Sequence, residues 1–106
     1  MGKLKIVWTL LAKSQLKRAY QYYKEKAGIK VAQKIKNDIL FCPEILKTHH
    51  QSGQEEEILK FLEEGHRYLL RGNYKIIYKL KNNTAHITDV FDSRQDPKKL
   101  KKNSKK

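Results

Sequence analysis

Three short runs of alternating apolar and polar residues occupy the second half of the chain. They span Arg67–Leu70, Tyr74–Leu80 and Thr84–Phe91. Two-residue links, Gly72-Asn73 and Asn82-Asn83, separate the runs, and glycine and asparagine tolerate the positive φ angles of tight hairpin turns. The pattern therefore predicts an antiparallel meander of three strands.

The middle run predicts a sheet with two different faces, because side chains alternate in direction along a strand. One face is expected to carry Tyr74, Ile76, Tyr78 and Leu80, and the other Lys75, Ile77 and Lys79. The first face can pack a hydrophobic core while the second carries cations. The basic residues in or beside the predicted sheet are Arg67, Arg71, Lys75, Lys79 and Arg94. We expect a cationic functional surface on these strands.

A strand and an amphipathic helix are predicted at the start of the chain. Leu4, Ile6 and Trp8 occupy every second position, as in a strand with one buried face. Thr9 can cap the following helix, because its hydroxyl can accept a hydrogen bond from a free backbone N–H. Apolar residues recur at helical spacing over residues 11–27, opposite a basic face, and Gly28 suits the left-handed C-terminal position.

A second amphipathic helix is predicted from Ile29 to Cys42, where Pro43 forces a break. One glycine joins the two helices, so they must fold back on each other as a helical hairpin. Packing that hairpin on one face of the sheet gives the order β-α-α-β-β-β and an α+β fold. The core residues predicted for the hairpin are Tyr20, Tyr23, Ile35 and Ile39.

An acidic segment lies between the helices and the meander. Residues 46–52 are expected to form a loop, and residues 53–64 then hold five of the eleven acidic residues: Glu55, Glu56, Glu57, Glu63 and Glu64. This acidic segment is either a solvated short helix or loop, or a set of carboxylates that holds the basic sheet in place. The adjacent His49 and His50 lack nearby cysteine and carboxylate groups at ligand spacing, so no metal site is predicted.

Length and charge indicate one basic domain. The chain has 106 residues, enough for a single core, and a formal net charge of +13. Six positive charges belong to lysines of residues 98–106, so residues 1–97 keep +7. We predict one domain over residues 1–97 and a disordered lysine-rich tail over 98–106, with at most one helical turn through Leu100. The positive charge of the domain favours an anionic partner. The alternative interpretation is that the basic surface only keeps the protein soluble.

Cysteine content and hydropathy indicate the compartment. Cys42 is the only cysteine, so an intrachain disulfide is impossible and a reducing compartment is expected. The sequence has no run of about 18 apolar residues and no signal-peptide pattern at its start. We therefore predict a cytoplasmic protein without a membrane partner.

The basic residues near the predicted sheet allow two kinds of chemistry. Nucleophile elbows, P-loops and paired-carboxylate motifs are missing from the sequence, and no cofactor is predicted. Arginine and lysine side chains could bind phosphates, or stabilise the transition state of RNA cleavage by the ribose hydroxyl. In the second case Arg67 and Arg94 would clamp the phosphate and Lys75 would act as the base.

Three stretches of the chain together resemble the RelE/ParE superfamily of bacterial type II toxin-antitoxin toxins. These are the two-helix N-terminal half, the stretch HRYLLRGNYKIIY from His66 to Tyr78, and the stretch DVFDSRQDP from Asp89 to Pro97. The resemblance implies a compact toxin that a small cognate antitoxin wraps and neutralises in a hetero-oligomer, as in plasmid stabilisation modules. Within the superfamily, RelE-like members cut messenger RNA on the ribosome, and ParE-like members poison DNA gyrase without hydrolysis.

The resemblance also implies roles for individual residues. Arg67 and Arg94 match basic residues that the RNA-cleaving branch uses for phosphate binding, and Lys75 falls where the family often has Arg or Lys. The terminal KKLKKNSKK lacks the Tyr or His that this branch usually has near its end, and Asp92 stands where the ParE branch often has His. The Arg-Gln turn and the long helical hairpin are more similar to the ParE branch.

Gyrase inhibition is therefore the favoured function. The alternatives are ribosome-dependent mRNA cleavage, a silent or differently targeted toxin, and a basic nucleic-acid-binding module without toxicity. Whether the chain is an enzyme depends on this choice. If it cleaves RNA, the predicted catalytic residues are Arg67, Lys75 and Arg94. The residues predicted to bind the target or its phosphates are Arg67, Arg71, Tyr74, Lys75, Lys79 and Arg94.

Overall fold

A five-stranded sheet, a helical hairpin and a short C-terminal helix make up the α+β fold. The structure is a computed structural model that describes residues 4–49 and 52–103. The elements are β1 (Lys5–Trp8), α1 (Leu10–Ala27), α2 (Ile29–Phe41), β2 (Gln54–Glu55), β3 (Arg67–Arg71), β4 (Tyr74–Lys81), β5 (Thr84–Asp92) and α3 (Lys98–Asn103), with 3-10 helices at Cys42–Lys47 and Glu57–Leu62. The strand order is β1-β5-β4-β3-β2, and β1 pairs in parallel with β5.

The predicted meander is confirmed in strands β3, β4 and β5. Gly72, Asn82 and Asn83 have positive φ angles of 59°, 51° and 60°. Glycine and asparagine tolerate this conformation, as predicted for the two turns. A register shift lies between Ile77 and Tyr78 where β4 pairs with β5. The prediction for the far end of β4 is wrong, because Leu80 is 42% exposed instead of lying in the core.

Helices α1 and α2 form the predicted hairpin. Thr9 caps α1, since its Oγ1 accepts a hydrogen bond from the Ala12 N–H at 3.2 Å and donates one to the Ile87 carbonyl at 2.8 Å. Gly28 joins the helices with φ 95° and ψ 167°, so the positive φ that favours glycine is present but the predicted left-handed helical conformation is not. The cap therefore ties the hairpin to β5.

The main core lies between the hairpin and one face of the sheet. Among the predicted hairpin core residues, Ile39 is buried, whereas Tyr20, Tyr23 and Ile35 are only partly buried at the margin. The prediction was too broad because helical spacing does not distinguish the centre of a buried stripe from its edges. The buried residues of this core include Leu16, Ala19, Ile39, Ile76, Tyr78, Ile87 and Val90.

A second, smaller core covers the opposite face of the sheet. Ile77 and Phe91 from the sheet pack with Leu59 of the acidic segment and Leu100 of α3, and all four are buried. The expectation of an open cationic face is therefore wrong over this part of the sheet. The expectation of a disordered tail from Lys98 also differs from the structure, because residues 98–103 form α3 and bury Leu100 to 1% exposure.

Two other expectations concern the middle of the chain. The predicted loop over residues 46–52 begins inside a 3-10 helix that ends at Lys47, and Leu46 is fully buried. His50 lies outside the described residues. Within residues 4–49 and 52–103, no group of three or more His, Cys, Asp or Glu side chains could hold a metal ion. No helix in the described part of the chain is long and apolar enough to span a membrane.

Candidate functional site

Arg94 is held in a fixed position just beyond the end of β5. Its Nε and Nη2 donate to the two carboxylate oxygens of Asp92 at 3.0 and 2.9 Å, and Nη2 also donates to the Tyr23 hydroxyl at 3.2 Å. The guanidinium lowers the pKa of Asp92, and the same contacts raise the pKa of Arg94. The side chain stays 53% exposed, so a partner can still reach this ordered cation.

Tyr74 and Arg71 lie at the same end of the sheet as Arg94. Tyr74 is paired with Arg71 on β3 and with Asp92 on β5. Burial, with further contributions from Tyr23 and Asp92, raises the pKa of Tyr74, so its hydroxyl stays protonated at neutral pH. Arg71 Nη2 lies 3.6 Å from Asp38 Oδ1 of α2. We call Arg71, Tyr74 and Arg94 the sheet-end cluster.

An open groove of about 770 Å³ runs from the sheet-end cluster between α1 and α3. Arg18 and Tyr22 of α1 line one side, and Gln95 and Lys99 line the other side beyond Arg94. Within the described residues, no carboxylate forms an ion pair with Arg18 or Lys99. These two cations are not among the predicted site residues, because nothing in the local sequence pattern shows that α1 and the tail meet beside β5.

Arg67 serves to fasten the loop that precedes β2. It pairs with Tyr78 across β3 and β4, and its guanidinium donates a hydrogen bond to the Gly53 carbonyl. Burial raises the pKa of Tyr78, and the neighbouring Arg67 opposes that rise. Directly opposed residues on paired strands share a face, so Arg67 lies on the hairpin side of the sheet with Tyr78. Its guanidinium is engaged in holding the loop.

Lys75 projects from the opposite face of the sheet. Its ammonium Nζ lies 3.0 and 3.3 Å from the two carboxylate oxygens of Glu56, whose side chain is 2% exposed. The same ammonium sits 4.4 Å from the ring centroid of Tyr68. Lys79 pairs in the same way with Glu64 at 3.0 Å, in a more exposed position. The acidic segment therefore holds the basic sheet by ion pairs. Of its two interpretations, a solvated segment or a set of carboxylates that holds the sheet, the structure favours the second.

The predicted site residues thus fall into three separate groups. Arg71, Tyr74 and Arg94 come together at the sheet end, Arg67 lies four residues from Arg71 on β3, and Lys75 and Lys79 are bound by the acidic segment. Four residues of strand correspond to roughly 13 Å. The three residues predicted to be catalytic in RNA cleavage, Arg67, Lys75 and Arg94, are not brought together.

The sheet cations are largely neutralised, and within residues 1–97 most of the excess positive charge lies on the hairpin. Residues 42–97 contain eight Lys and Arg against nine Asp and Glu, a net charge of −1. Residues 10–41 contain eight Lys and Arg against two Asp and Glu, a net charge of +6. A segment-by-segment charge count would have located this surface from the sequence alone.

One comparison with known proteins shows the family of this chain, and a second shows its fold. Residues 6–97 match the family model described as the ParE toxin of the type II toxin-antitoxin system parDE. A solved structure titled "Chromosomal ParDE TA system from P. aeruginosa" superposes with a TM-score of 0.72 at 21% sequence identity, covering 85% of this chain and 96% of that chain. The search of curated proteins found no match. The chain therefore belongs to the ParE toxin family of type II toxin-antitoxin systems.

Proposed function

We propose that this ParE-family toxin arrests bacterial growth by binding DNA gyrase, and that a cognate antitoxin binds and neutralises it. Family membership supports the gyrase target, because the resemblance to the ParE branch implies gyrase inhibition. The related chain from P. aeruginosa comes from a ParDE toxin-antitoxin system, which supports an antitoxin partner for this chain. Under this proposal the basic residues are binding groups, and the toxin catalyses no reaction.

The position of Lys75 relative to Arg67 carries the proposal. Metal-free RNA cleavage requires a base at the ribose hydroxyl and a cation at the adjacent phosphate, both within hydrogen-bond reach of one nucleotide. Lys75 and Arg67 lie on opposite faces of the sheet, and each is engaged by another group of the fold. One phosphodiester cannot contact both side chains, which favours binding over hydrolysis.

We assign target contact to the sheet-end cluster, with Arg94 as the principal residue. Arg94 is exposed, charged and held by two bonds to Asp92, so it loses little conformational freedom on binding. Arg71 and Tyr74 flank it on the neighbouring strands. Lys79 is a matched control, because it is also a partly exposed cation with one carboxylate partner but lies in another group.

Induced expression in a bacterium without the antitoxin tests the proposal. Plasmid supercoiling and primer extension on a translated message should be followed over the same minutes. We expect growth arrest with lost supercoiling or trapped gyrase cleavage and intact messages. Arg94→Ala should relieve the arrest while Lys79→Ala keeps it, with both variants folded by circular dichroism. Messages cut within translated codons, with supercoiling unchanged, would contradict gyrase as the target.

A further inference from the structure

The groove between α1 and α3 lies where the two most basic parts of the chain meet. Residues 10–41, which include α1, carry a net charge of +6, and residues 98–106, which include α3, hold six lysines and no acidic residue. Arg18 lines one side of the groove, and Arg94 and Lys99 line the other. We call it the basic groove. Its volume of about 770 Å³ is far larger than one phosphate needs, so it fits an extended anion.

Two of these cations lie on helices that the sheet holds in place. Gln15 fastens α1 to β5, because its side-chain oxygen accepts a hydrogen bond from the Val90 N–H at 2.6 Å. Arg18 follows one turn later on the same helix. Lys99 precedes Leu100, whose burial in the second core docks α3 on the sheet. The two sides of the basic groove are therefore fixed relative to each other.

Arg94 keeps hydrogen-bond donors available to a ligand. Its Nε and Nη2 donate to the carboxylate of Asp92, and Nη2 also donates to the Tyr23 hydroxyl. Within the described residues, no hydrogen bond involves its Nη1. A guanidinium has five N–H donors, so the two on Nη1 can bind an anion while Asp92 holds the side chain in position.

The carboxylates at this end of the molecule leave the other two cations without a partner. Asp92 is bound by the neighbouring guanidinium, and Asp96 Oδ1 accepts a hydrogen bond from the backbone N–H of Lys98 at 3.0 Å. Among the described residues, no carboxylate forms an ion pair with Arg18 or Lys99. The basic groove therefore keeps an excess of positive charge, which attracts a polyanion.

The lining of the basic groove favours a nucleic-acid backbone over a protein segment. A protein partner gains most of its affinity by placing a large side chain in an apolar pocket. The apolar residues of this groove offer no such pocket, because Val90 and Phe91 are only 4% and 5% exposed. Tyr22 is 50% exposed, and its hydroxyl can donate to a phosphate. Phosphates need only such donors and cations along an open groove.

We propose that the basic groove binds the backbone of the DNA duplex on which gyrase acts, through Arg18, Arg94 and Lys99. This inference rests on the proposed function for the source of the DNA, since gyrase holds the duplex that it supercoils. The sheet-end cluster then contacts gyrase, and the basic groove beside it contacts the DNA. The toxin bridges enzyme and DNA in this arrangement, so it binds their complex more tightly than it binds gyrase alone.

Binding of the full-length chain to a short labelled DNA duplex, measured by fluorescence anisotropy at several salt concentrations, is the first test. The site variant carries Arg18→Gln and Lys99→Gln. The control variant carries Lys24→Gln and Lys30→Gln, two exposed lysines near the bend between the helices. We expect the site variant to bind about tenfold more weakly, with a slope of log affinity against log salt lower by about 1 to 2. The control should stay within about threefold with an unchanged slope.

Binding to gyrase with and without DNA is the second test. Wild-type toxin should bind gyrase more tightly when DNA is present. The site variant should bind gyrase alone like the wild type and lose the gain that DNA gives, so it should inhibit supercoiling about tenfold less effectively. Urea unfolding of both variants checks that the fold is kept.

Four outcomes would overturn the proposal. Unchanged duplex binding by the site variant would show that the basic groove does not contact DNA, and equal loss in the site and control variants would indicate general attraction to a basic chain. Weaker binding of the site variant to gyrase without DNA would make the groove a protein-binding surface. Preference of the wild type for single-stranded RNA over the duplex, lost in the site variant, would assign the groove to RNA.

Failure of the proposed function gives a different result. A wild-type chain that does not bind gyrase would refute gyrase as the target. The duplex affinities of the site and control variants would still decide whether the basic groove binds DNA, because that measurement needs no gyrase.

Discussion

Replacing Lys75 by methionine should destabilise the protein far more than replacing Lys79. Both lysines of β4 bind one glutamate of the acidic segment at 3.0 Å. The partners differ in burial, since the Glu56 side chain is 2% exposed and the Glu64 side chain is 49% exposed. Lys75→Met would therefore leave a carboxylate in the interior without its cation, whereas Lys79→Met would leave one in water.

The burial of Glu56 determines how much unfolding free energy Lys75→Met should remove. Removing one partner of a buried ion pair costs about 3–5 kcal/mol, whereas an exposed pair contributes about 0–1 kcal/mol. Domains of this size unfold with a total free energy of about 5–15 kcal/mol, so Lys75→Met should remove a large fraction of it. Changing Glu56→Gln in the same chain should recover most of the loss, because the buried group is then neutral.

Urea unfolding of the four chains of this double-mutant cycle provides the assay. Wild type, Lys75→Met, Glu56→Gln and the double variant are compared, with Lys79→Met as the exposed control. The reasoning would be refuted if Lys75→Met cost no more than Lys79→Met. It would also be refuted if Lys75→Met kept full stability and lost growth arrest, because the lysine would then act directly on the target or on RNA.

Three further predictions concern stability. Leu100→Ala should cost about 2–5 kcal/mol, because Leu100 is 1% exposed and completes the second core. Burial raises the pKa of Asp89 above its unfolded value, so its carboxylate destabilises the fold at neutral pH. Asp89→Asn, which keeps an acceptor for Gln15, should gain stability at pH 7, and the gain should vanish below about pH 3.9. Gly53→Ala should cost about 1–3 kcal/mol, because the added Cβ would overlap the buried Tyr78 ring and hydroxyl.

Each of these predictions has its own check by urea unfolding. Lys99→Ala, beside Leu100 but exposed, should change stability by less than about 0.5 kcal/mol. An unchanged midpoint for Leu100→Ala would contradict the docking of α3. A gain for Asp89→Asn that is equal at pH 7 and below pH 3.9 would contradict ionisation as its cause. Tyr78→Phe should recover part of the loss from Gly53→Ala, and no recovery would contradict the assigned overlap.

The meander and the hairpin could be predicted because local chemistry determines them. Asn82 and Asn83 adopt the positive φ angles that a two-residue turn needs, and the alternation along β4 separates a core face from the other face. Thr9 precedes α1 with a hydroxyl that caps it. In each case the residues that specify the element are neighbours in sequence, so the pattern is visible without tertiary contacts.

The partners of the basic residues could not be predicted in the same way. Lys75 and Glu56 are 19 positions apart, and only the return of the acidic segment across the sheet brings them together. Leu100 is a single apolar residue among lysines, so no periodicity indicates that it is buried. Arg18 and Lys99 both line the groove beside Arg94, although they lie near opposite ends of the sequence. The arrangement of the candidate site was therefore harder to predict from the sequence than the secondary structure, because long-range contacts determine it.

Purified toxin added to purified DNA gyrase tests the central claim most directly. The account predicts that wild-type toxin inhibits supercoiling of a relaxed plasmid, that prior addition of the antitoxin prevents the inhibition, and that Arg94→Ala fails to inhibit. The same preparation should leave messages on translating ribosomes intact. Undiminished supercoiling, together with messages cut on the ribosome, would contradict the account and would make this chain a ribonuclease.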